Sequence, residues 1–380
     1  MVCGKGVLSM KPDGEGFLYP SIDNAERCID CQRCVSICPN KYSIRPNQVI
    51  KKGYGGHANE EADIQRSSSG GLATALGRVF IKNGGVVYGV RYTEDFRSAR
   101  YDRASEEIEL NLFRTSKYFQ AKKGNIYLSV RKDLLDAKKV LFVGLNCEIS
   151  ALYNFLGRSF DNLYTVSLVC HGVTSPLAHE HFCTDLETNC NSTITDFSVR
   201  YKVNGWKPYY IKASFESGKE YLEPFESTNY EMAFKYLKRP SCSKCNFKVL
   251  NKEFGIKSDM VIGDFHGQRI SDSFYNKWGA SRFYTCSSKG EELIKSVDDF
   301  LYSEIDIEGY QWSSPVLSIP IKKLLFHNVF SKFFRLYGLD RASSLTIIRF
   351  GHKYLQPVVK KYHSITRRFQ VRLFKRVFLW

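Results

Sequence analysis

Apolar and polar positions along this chain alternate between two periods. Leu72–Lys82 repeats apolar residues at helical spacing, and Val86–Tyr92 reads as a strand. Val140–Val143 predicts a short buried strand, with a helix after it over roughly 148–156. Leu163–Val169 predicts another strand, followed by a helix near 177–188. Thr195–Lys202 and Tyr209–Glu216 look like a strand pair, and Met260–Ile262 is a short strand leading into Gly263-Asp264-Phe265. Ahead of these elements, residues 1–50 are irregular, and residues 51–69 read as a polar linker containing Gly53, Gly55 and Gly56. The pattern predicts an α/β or α+β core, with no solenoid repeat and no low-complexity segment.

Residues 321–380 carry two further stripes. Leu325, Val329, Phe333 and Leu336 share one helical face, with Lys322, Lys323, Lys332 and Arg335 largely off it. Gly338 is a stop signal and Asp340 an N-cap signal. After Pro357 a second stripe runs Val358, Tyr362, Ile365, Phe369 and Leu373, with Arg367, Arg368, Arg372, Lys375 and Arg376 around it. A basic amphipathic helix suits an anionic membrane surface or an acidic partner protein. The same pattern also describes a docked C-terminal helix with a solvated basic face.

Composition adds two exclusions. The 380 residues are 43% hydrophobic, 14% aromatic and 25% charged, a globular make-up and not a disordered one. Net charge is +16, but 14 Lys/Arg and one acid, Asp340, fall in residues 321–380; the first 320 residues carry 41 basic and 38 acidic groups. The excess belongs to the tail, so nucleic-acid binding is not expected. Residues 1–20 contain Lys5, Lys11, Asp13 and Glu15 and no apolar core segment, and no apolar run reaches the ~18 residues of a membrane span. A cytoplasmic protein is expected, with the tail able to sit at the inner face of the membrane.

Twelve cysteines carry the chemistry: Cys3, Cys28, Cys31, Cys34, Cys38, Cys147, Cys170, Cys183, Cys190, Cys242, Cys245 and Cys286. Tight clusters in a chain without an export signal read as metal or redox sites. Cys28-x2-Cys31-x2-Cys34-x3-Cys38-Pro39 is the bacterial ferredoxin run. Three thiolates at that spacing wrap one face of a 4Fe–4S cluster, and the fourth, before proline, serves a different cluster. A zinc site would instead separate two cysteine pairs by a longer loop. The cluster on Cys28, Cys31 and Cys34 needs a ligand from elsewhere, and Cys3 is the candidate. Cys3-Gly4-Lys5-Gly6-Val7-Leu8 reads as the end of a preceding run whose first three cysteines are missing. A late start or the loss of one cluster would explain this, and would leave Cys38 without a cluster of its own. A free thiol at Cys3 is the alternative.

The chain resembles the coenzyme F420 hydrogenase/dehydrogenase beta-subunit family from about residue 1 to 300. The resemblance is carried by the ferredoxin run, Ser67-Ser68-Ser69-Gly70-Gly71, Ser116-Lys117-Tyr118-Phe119-Gln120 and Gly144-Leu145-Asn146-Cys147-Glu148. It continues through Cys170-His171-Gly172-Val173, Arg239-Pro240-Ser241-Cys242-Ser243-Lys244-Cys245 and Gly263-Asp264-Phe265-His266-Gly267. Two departures bear on the substrate site: the family usually shows Thr-Pro-Cys-Gln at Leu145–Glu148, and often Trp where His266 stands. Some members lie in polysaccharide gene clusters.

The resemblance implies an iron–sulfur flavoprotein. Its expected parts are a small ferredoxin-like 4Fe–4S domain over residues 1–50, a mixed α/β flavin-binding core in two parts, 60–135 and 136–310, and a helical basic tail over 321–380. One or two 4Fe–4S clusters and FAD are the implied cofactors. Small residues at Ser67, Ser68, Ser69, Gly70 and Gly71 would let amides at a helix N-terminus approach a phosphate; an ordinary Ser cap with a Gly turn explains them equally. Lys117 and Gln120 are carried over as flavin contacts. Cys147, Cys170, Cys242 and Cys245 form an implied second cluster site, with zinc on the same four as the alternative. His171 and Asp264 are the candidates for acid–base or positioning roles.

The expected function is electron transfer between a flavin, exchanging hydride with a deazaflavin, nicotinamide or other small-molecule substrate, and clusters that serve a redox partner protein. The alternatives are a non-catalytic electron-relay subunit and a membrane-surface interaction protein with degenerate cofactor sites.

Overall fold

The computed structural model describes residues 3–41, 43–249, 255–308, 317, 320–324 and 326–345. In chain order the elements begin with β1 (Leu8–Pro12), β2 (Leu18–Ile22), α1 (Arg33–Ser36), β3 (Lys52–Ala58), α2 (Glu61–Gln65) and α3 (Leu72–Lys82). Next come β4 (Val86–Tyr92), β5 (Ala99–Ala104), α4 (Ile126–Leu135), β6 (Val140–Leu145), α5 (Asn146–Leu156), β7 (Leu163–Leu168) and α6 (Pro176–Cys190). Then follow β8 (Ile194–Lys202), β9 (Tyr209–Phe215), β10 (Glu220–Pro224) and α7 (Asn229–Tyr236). The last are β11 (Met260–Asp264), β12 (Ser281–Thr285), α8 (Ser288–Lys295), β13 (Phe300–Glu304) and α9 (His327–Ser344).

Eight strands share one mixed sheet in the order β13-β3-β12-β11-β7-β6-β4-β5. β4, β6, β7 and β11 run parallel, and two antiparallel steps through β12 bring β3 into the same direction. Residues from both expected halves of the core therefore build one sheet. Its two faces are both buried, which is why its strands read as nearly continuous apolar runs. Val86, Tyr88, Val140 and Phe142 point to a core shared with α4, α5, α6, α7 and α9. Val87, Leu141, Val166 and Ile262 point to the opposite core, under α3 and α8. A smaller sheet, β10-β9-β8, packs into the first core through Phe197, Val199 and Ile211.

Two sequence readings need correction. The linker at residues 51–69 contains β3, which lies between β13 and β12. Its glycines give it the composition of a linker, and they are also the reason it fits the sheet. A Cβ on Gly55 would lie 2.6 Å from both Phe265 and Phe274, and one on Gly56 would lie 2.5 Å from Phe300 and from the Leu301 carbonyl. The neighbouring rings fill the space that side chains of β3 would take.

The second correction concerns the first tail stripe. α9 turns Phe330 and Phe334 inward, at 0% and 1% exposure, and leaves Leu336 60% exposed. The face is set by docking against α6 and α7: Phe330 stacks on Tyr236 at 5.1 Å and Phe334 meets His181 at 5.4 Å. Gly338, read as a stop, does interrupt the helical backbone (φ 83°, ψ 178°): α9 is two helical stretches that meet at a kink there. Leu325 and the second stripe from Val358 to Leu373 lie outside the described residues. Among the described residues no helix is long and apolar enough to cross a membrane.

The docked register predicts opposite outcomes for two substitutions on α9. Phe334→Ala should lose about 3–5 kcal/mol in urea unfolding, whereas Leu336→Ala should stay within about 0.5 kcal/mol of the parent. The reverse ranking would restore the stripe read from the sequence.

Candidate functional site

Because β3, β4, β6, β7 and β11 share one direction, their carboxyl ends lie along one edge of the sheet, where α/β folds place ligands. The segments leaving that edge carry most of the residues singled out above. β6 passes into α5 without a loop, since the Glu148 carboxylate accepts the Leu145 amide at 3.1 Å. The helix starts earlier than its apolar period indicates, and Cys147 falls in its first turn. Cys170 follows β7. Cys242 lies in a 3-10 turn, Pro240–Lys244, and Cys245 caps it.

These four cysteines are neighbours in pairs: Cys147 with Cys170 and Cys245, and Cys242 with Cys170 and Cys245. Each is partly exposed, and they are near enough to influence one another's ionisation. Burial holds the Cys147 thiol well above its usual range, reinforced by Glu148, Cys170 and Cys245. Burial pushes Cys170 up to about 11, and Cys242 adds to it, against the Gly172 amide, Lys248 and Lys238. Burial also raises Cys245, against the Phe247 amide and Lys248. The amide at position i+2 thus faces the sulfur at both Cys170 and Cys245, and Gly172 N–H donates to Cys170 Sγ at 3.2 Å.

Local chemistry fixes the segments that carry them. Asn146 is buried; its amide donates to the Phe247 carbonyl at 3.0 Å and the Gly255 carbonyl at 2.7 Å, and its oxygen accepts from Lys257 N–H at 2.8 Å. One side chain therefore clamps the chain after Cys245 to the helix of Cys147. Gly172 takes φ +84°, and a Cβ there would stand 3.3 Å from the Cys242 Cβ. Thr174 bridges Phe119 on one side and Lys238 on the other. The Lys238 ammonium donates to the Gly172 carbonyl at 3.1 Å and Thr174 Oγ1 at 3.2 Å, and Lys248 donates to the Cys170 carbonyl at 2.8 Å.

The N-terminal run is arranged differently. Cys28, Cys31 and Cys34 are exposed, and Cys3 and Cys38 partly so. Asp30 and Gln32 take positive φ, 47° and 55°, which curls the chain between the cysteines. The amides of Val7, Lys5, Gly6 and Leu8 surround the Cys3 sulfur and lower its pKa. Among the described residues no three Cys, His, Asp or Glu side chains are drawn to the contact distances of a bare metal ion, here or at the sheet edge. The segment after the run is pinned along α5: Ile44 N–H donates to Asn154 Oδ1 at 2.9 Å, and Ser150 Oγ to Ser43 Oγ at 3.0 Å. Arg45 pairs with buried Asp259 at 2.6 Å.

The serine loop is tied into the protein. Ser67 Oγ donates to the Asp63 carbonyl at 2.7 Å and Ser69 Oγ to the Ala280 carbonyl at 2.6 Å; Ser68 and Ser116 hydroxyls meet at 2.8 Å. Gly70 is wedged between strands, since a Cβ would lie 2.4 Å from the Gly56 carbonyl. Gly71 takes φ +90° at the start of α3. Three side chains not singled out from the sequence brace this loop. Arg200 donates to the Ser68 carbonyl at 2.9 Å, Lys202 to the Ile64 and Ser69 carbonyls at 2.7 and 2.9 Å, and the Trp206 indole to the Ser68 carbonyl at 3.1 Å. The signal for them was two cations two residues apart on a predicted strand, on a face that is buried at both.

Other expected site residues have internal partners. Lys117 donates to the carbonyls of Leu112, Arg114 and Thr115, and burial lowers its pKa to about 7. Gln120 accepts from Leu18 N–H at 2.8 Å, holding the β1–β2 hairpin. His171 stacks on Phe234 at 5.8 Å. Asp264 accepts from Arg200 at 2.8 Å and lies 3.8 Å from His266. The departures have local explanations too. Burial pushes the Glu148 carboxyl up, but Lys123 at 2.7 Å and the Tyr101 hydroxyl outweigh it and hold it below the usual range. His266 meets Trp206 at 5.1 Å, so an indole lies beside this position although Trp is absent from it.

Residues 137–307 match the family model that describes the C-terminal part of the beta subunits of coenzyme F420 hydrogenase/dehydrogenase. That stretch contains Cys147, Cys170, Cys242, Cys245 and Asp264. No curated protein matches the chain. Among solved structures, a chain of the xenon-derivatized F420-reducing NiFe hydrogenase complex from Methanosarcina barkeri is similar. It is 14% identical at a TM-score of 0.45, over 82% of this chain and 96% of that one.

The Asn146 clamp predicts a labelling change. Asn146→Ala strands buried partners and should lower stability by about 1–3 kcal/mol. In iodoacetamide labelling read by mass spectrometry, Cys242 and Cys245 should react faster than in the parent, with Cys190 unchanged. Equal rates at Cys242 and Cys245 would show that the loop is held by other contacts.

Proposed function

We propose that this chain, similar over residues 137–307 to the beta subunits of coenzyme F420 hydrogenases and dehydrogenases, is an iron–sulfur redox subunit. What supports the reading is the proximity of Cys147, Cys170, Cys242 and Cys245, from three separate segments, near the carboxyl edge of the sheet. In this reading the four hold a 4Fe–4S cluster, and Cys28, Cys31 and Cys34 with Cys3 hold another. Such clusters supply one-electron transfer, and a flavin at the Ser67–Gly71 loop would exchange it for hydride chemistry with a deazaflavin, nicotinamide or other organic substrate.

The chain's own residues suit that task. Crowded thiols at a half-buried site stay protonated until a cation joins them, and a bound metal reverses the balance. The amides of Gly172 and Phe247 face sulfur, the type of hydrogen bond that tunes a cluster. Lys238 and Lys248 stand beside the thiols; burial lowers Lys238 to about 7, and thiolates at Cys170 and Cys242 would favour its charged form, which opposes the net negative charge of thiolate ligation. Asn146 fixes the separation between the helix of Cys147 and the segment of Cys245. The Ser67–Gly71 loop leaves backbone amides at the start of α3 as the groups for a flavin phosphate, with Arg200 and Lys202 bracing it from behind.

A second reading, an electron-relay subunit without flavin, is favoured by a specific observation. The hydroxyls of Ser67, Ser68 and Ser69, the Lys117 amine and the Gln120 carbonyl all have partners within the chain.

Anaerobic purification with iron, sulfide and flavin quantitation separates these readings. The parent should carry two clusters and one flavin. Cys147→Ser with Cys242→Ser, and separately Cys28→Ser with Cys31→Ser, should each remove about half of the iron and sulfide. Both clusters without flavin would select the relay. Zinc without sulfide would overturn the proposal.

A further inference from the structure

Beside the four thiols lies a shallow cleft, with a cavity volume of about 10 Å³, between the Pro240–Lys244 turn and the segment entering α9. Lys322, Lys323 and Arg239 share its lining with Tyr236, Ile321 and Leu324; burial lowers Lys238 to about 7 and holds His327 below its usual range, so the charge sits with the exposed lysines. Lys322 and Lys323 are exposed, and so is Lys244, on the turn that carries Cys242. Lys235 is paired with Glu231 one helical turn away. The cleft shares a wall with the cysteines. A Cβ on Gly172 would meet Ile321 of the cleft at 3.2 Å and Cys242 at 3.3 Å.

The shape argues against a small-molecule pocket, which is larger and deeper. A membrane contact needs an apolar face to insert beside the basic one. The apolar face of α9 is occupied, since Phe330, Phe334, Leu339 and Ala342 are buried in the core. Leu336 and the adjacent Tyr337 are exposed, a patch of two residues that is ordinary on a protein surface. Among the described residues, exposed Lys244, Lys322 and Lys323 give the cleft a positively charged rim next to the cysteines.

We propose that this rim is a docking surface for an acidic electron-carrier protein. The inference deepens the redox reading above and relies on it for the choice of partner. Complementary charge steers encounter and fixes register. Docking at Lys244, Lys322 and Lys323 sets the partner against the turn of Cys242 and Cys245, the two cysteines of the centre that lie on a surface loop and not at the head of a strand or helix.

The test is binding of a fluorescently labelled acidic plant-type ferredoxin to the full chain, followed by anisotropy and stopped flow. Parent binding should weaken steeply between about 20 mM and about 300 mM salt, as screening predicts. Lys322→Glu with Lys323→Glu should slow association on the order of tenfold, with circular dichroism unchanged, while Lys132→Glu on α4 should bind as the parent does. No binding by the parent at low salt, equal binding by the double variant, or an equal loss in Lys132→Glu would each overturn the proposal. So would sedimentation with phosphatidylserine vesicles through the same two lysines without ferredoxin binding. Iron and sulfide assayed on the same samples report on the redox centre separately: ferredoxin binding by a chain without iron keeps the surface and removes the centre.

Discussion

Sulfurs gathered at one edge of a sheet can ionise together only if something balances their charge. Burial alone disfavours the thiolate, and each neighbouring sulfur adds to the cost. The surrounding structure answers this constraint. Lys238 and Lys248 lie beside the thiols and are themselves held by the carbonyls of Gly172 and Cys170. The Gly172 and Phe247 amides face sulfur. The loop after β7 is laced between Phe119 and Lys238 so that these groups stay in place. The parallel strands bring the segments to a common edge, and the local bonds hold them there.

The two cysteine regions are joined by one helix. Cys147 stands in the first turn of α5, and the chain just beyond Cys38 is bonded to Ser150 and Asn154 further along it. Seven residues of helix, about 10 Å, separate Cys147 from Asn154. The N-terminal segment is therefore registered on the same rod that presents the core thiols. Arg45 reinforces this by pairing with Asp259, whose other carboxylate oxygen holds Thr165 of β7 at 2.9 Å and 2.7 Å.

Much of this was legible in the sequence because cysteine chemistry and apolar periodicity are local signals. The strands Val86–Tyr92 and Leu163–Val169 and the helix Leu72–Lys82 could be read from period alone, while the grouping of Cys147 with Cys170, Cys242 and Cys245 is what the family resemblance implies. What escaped was set by distant partners. Asn146 looks like a departure from the family pattern; its role appears only once Phe247, Gly255 and Lys257 are beside it. Arg200 and Lys202 are only two charges on a predicted strand until the Ser67–Gly71 loop lies over them. The tail stripe differs because periodicity cannot say which residues meet α6 and α7, and the docking surface chose Phe330 and Phe334.

β3 carries a last consequence. Its glycines yield their volume to Phe265, Phe274 and Phe300, so the shape of that strand is written in residues more than two hundred positions away. Such a strand cannot vary by itself. Enlarging Gly55 or Gly56 is compatible with the sheet only when a facing ring shrinks in the same lineage. Within relatives of this chain, glycine and ring should therefore change as matched pairs, and the apparent linker should drift more slowly than its composition suggests.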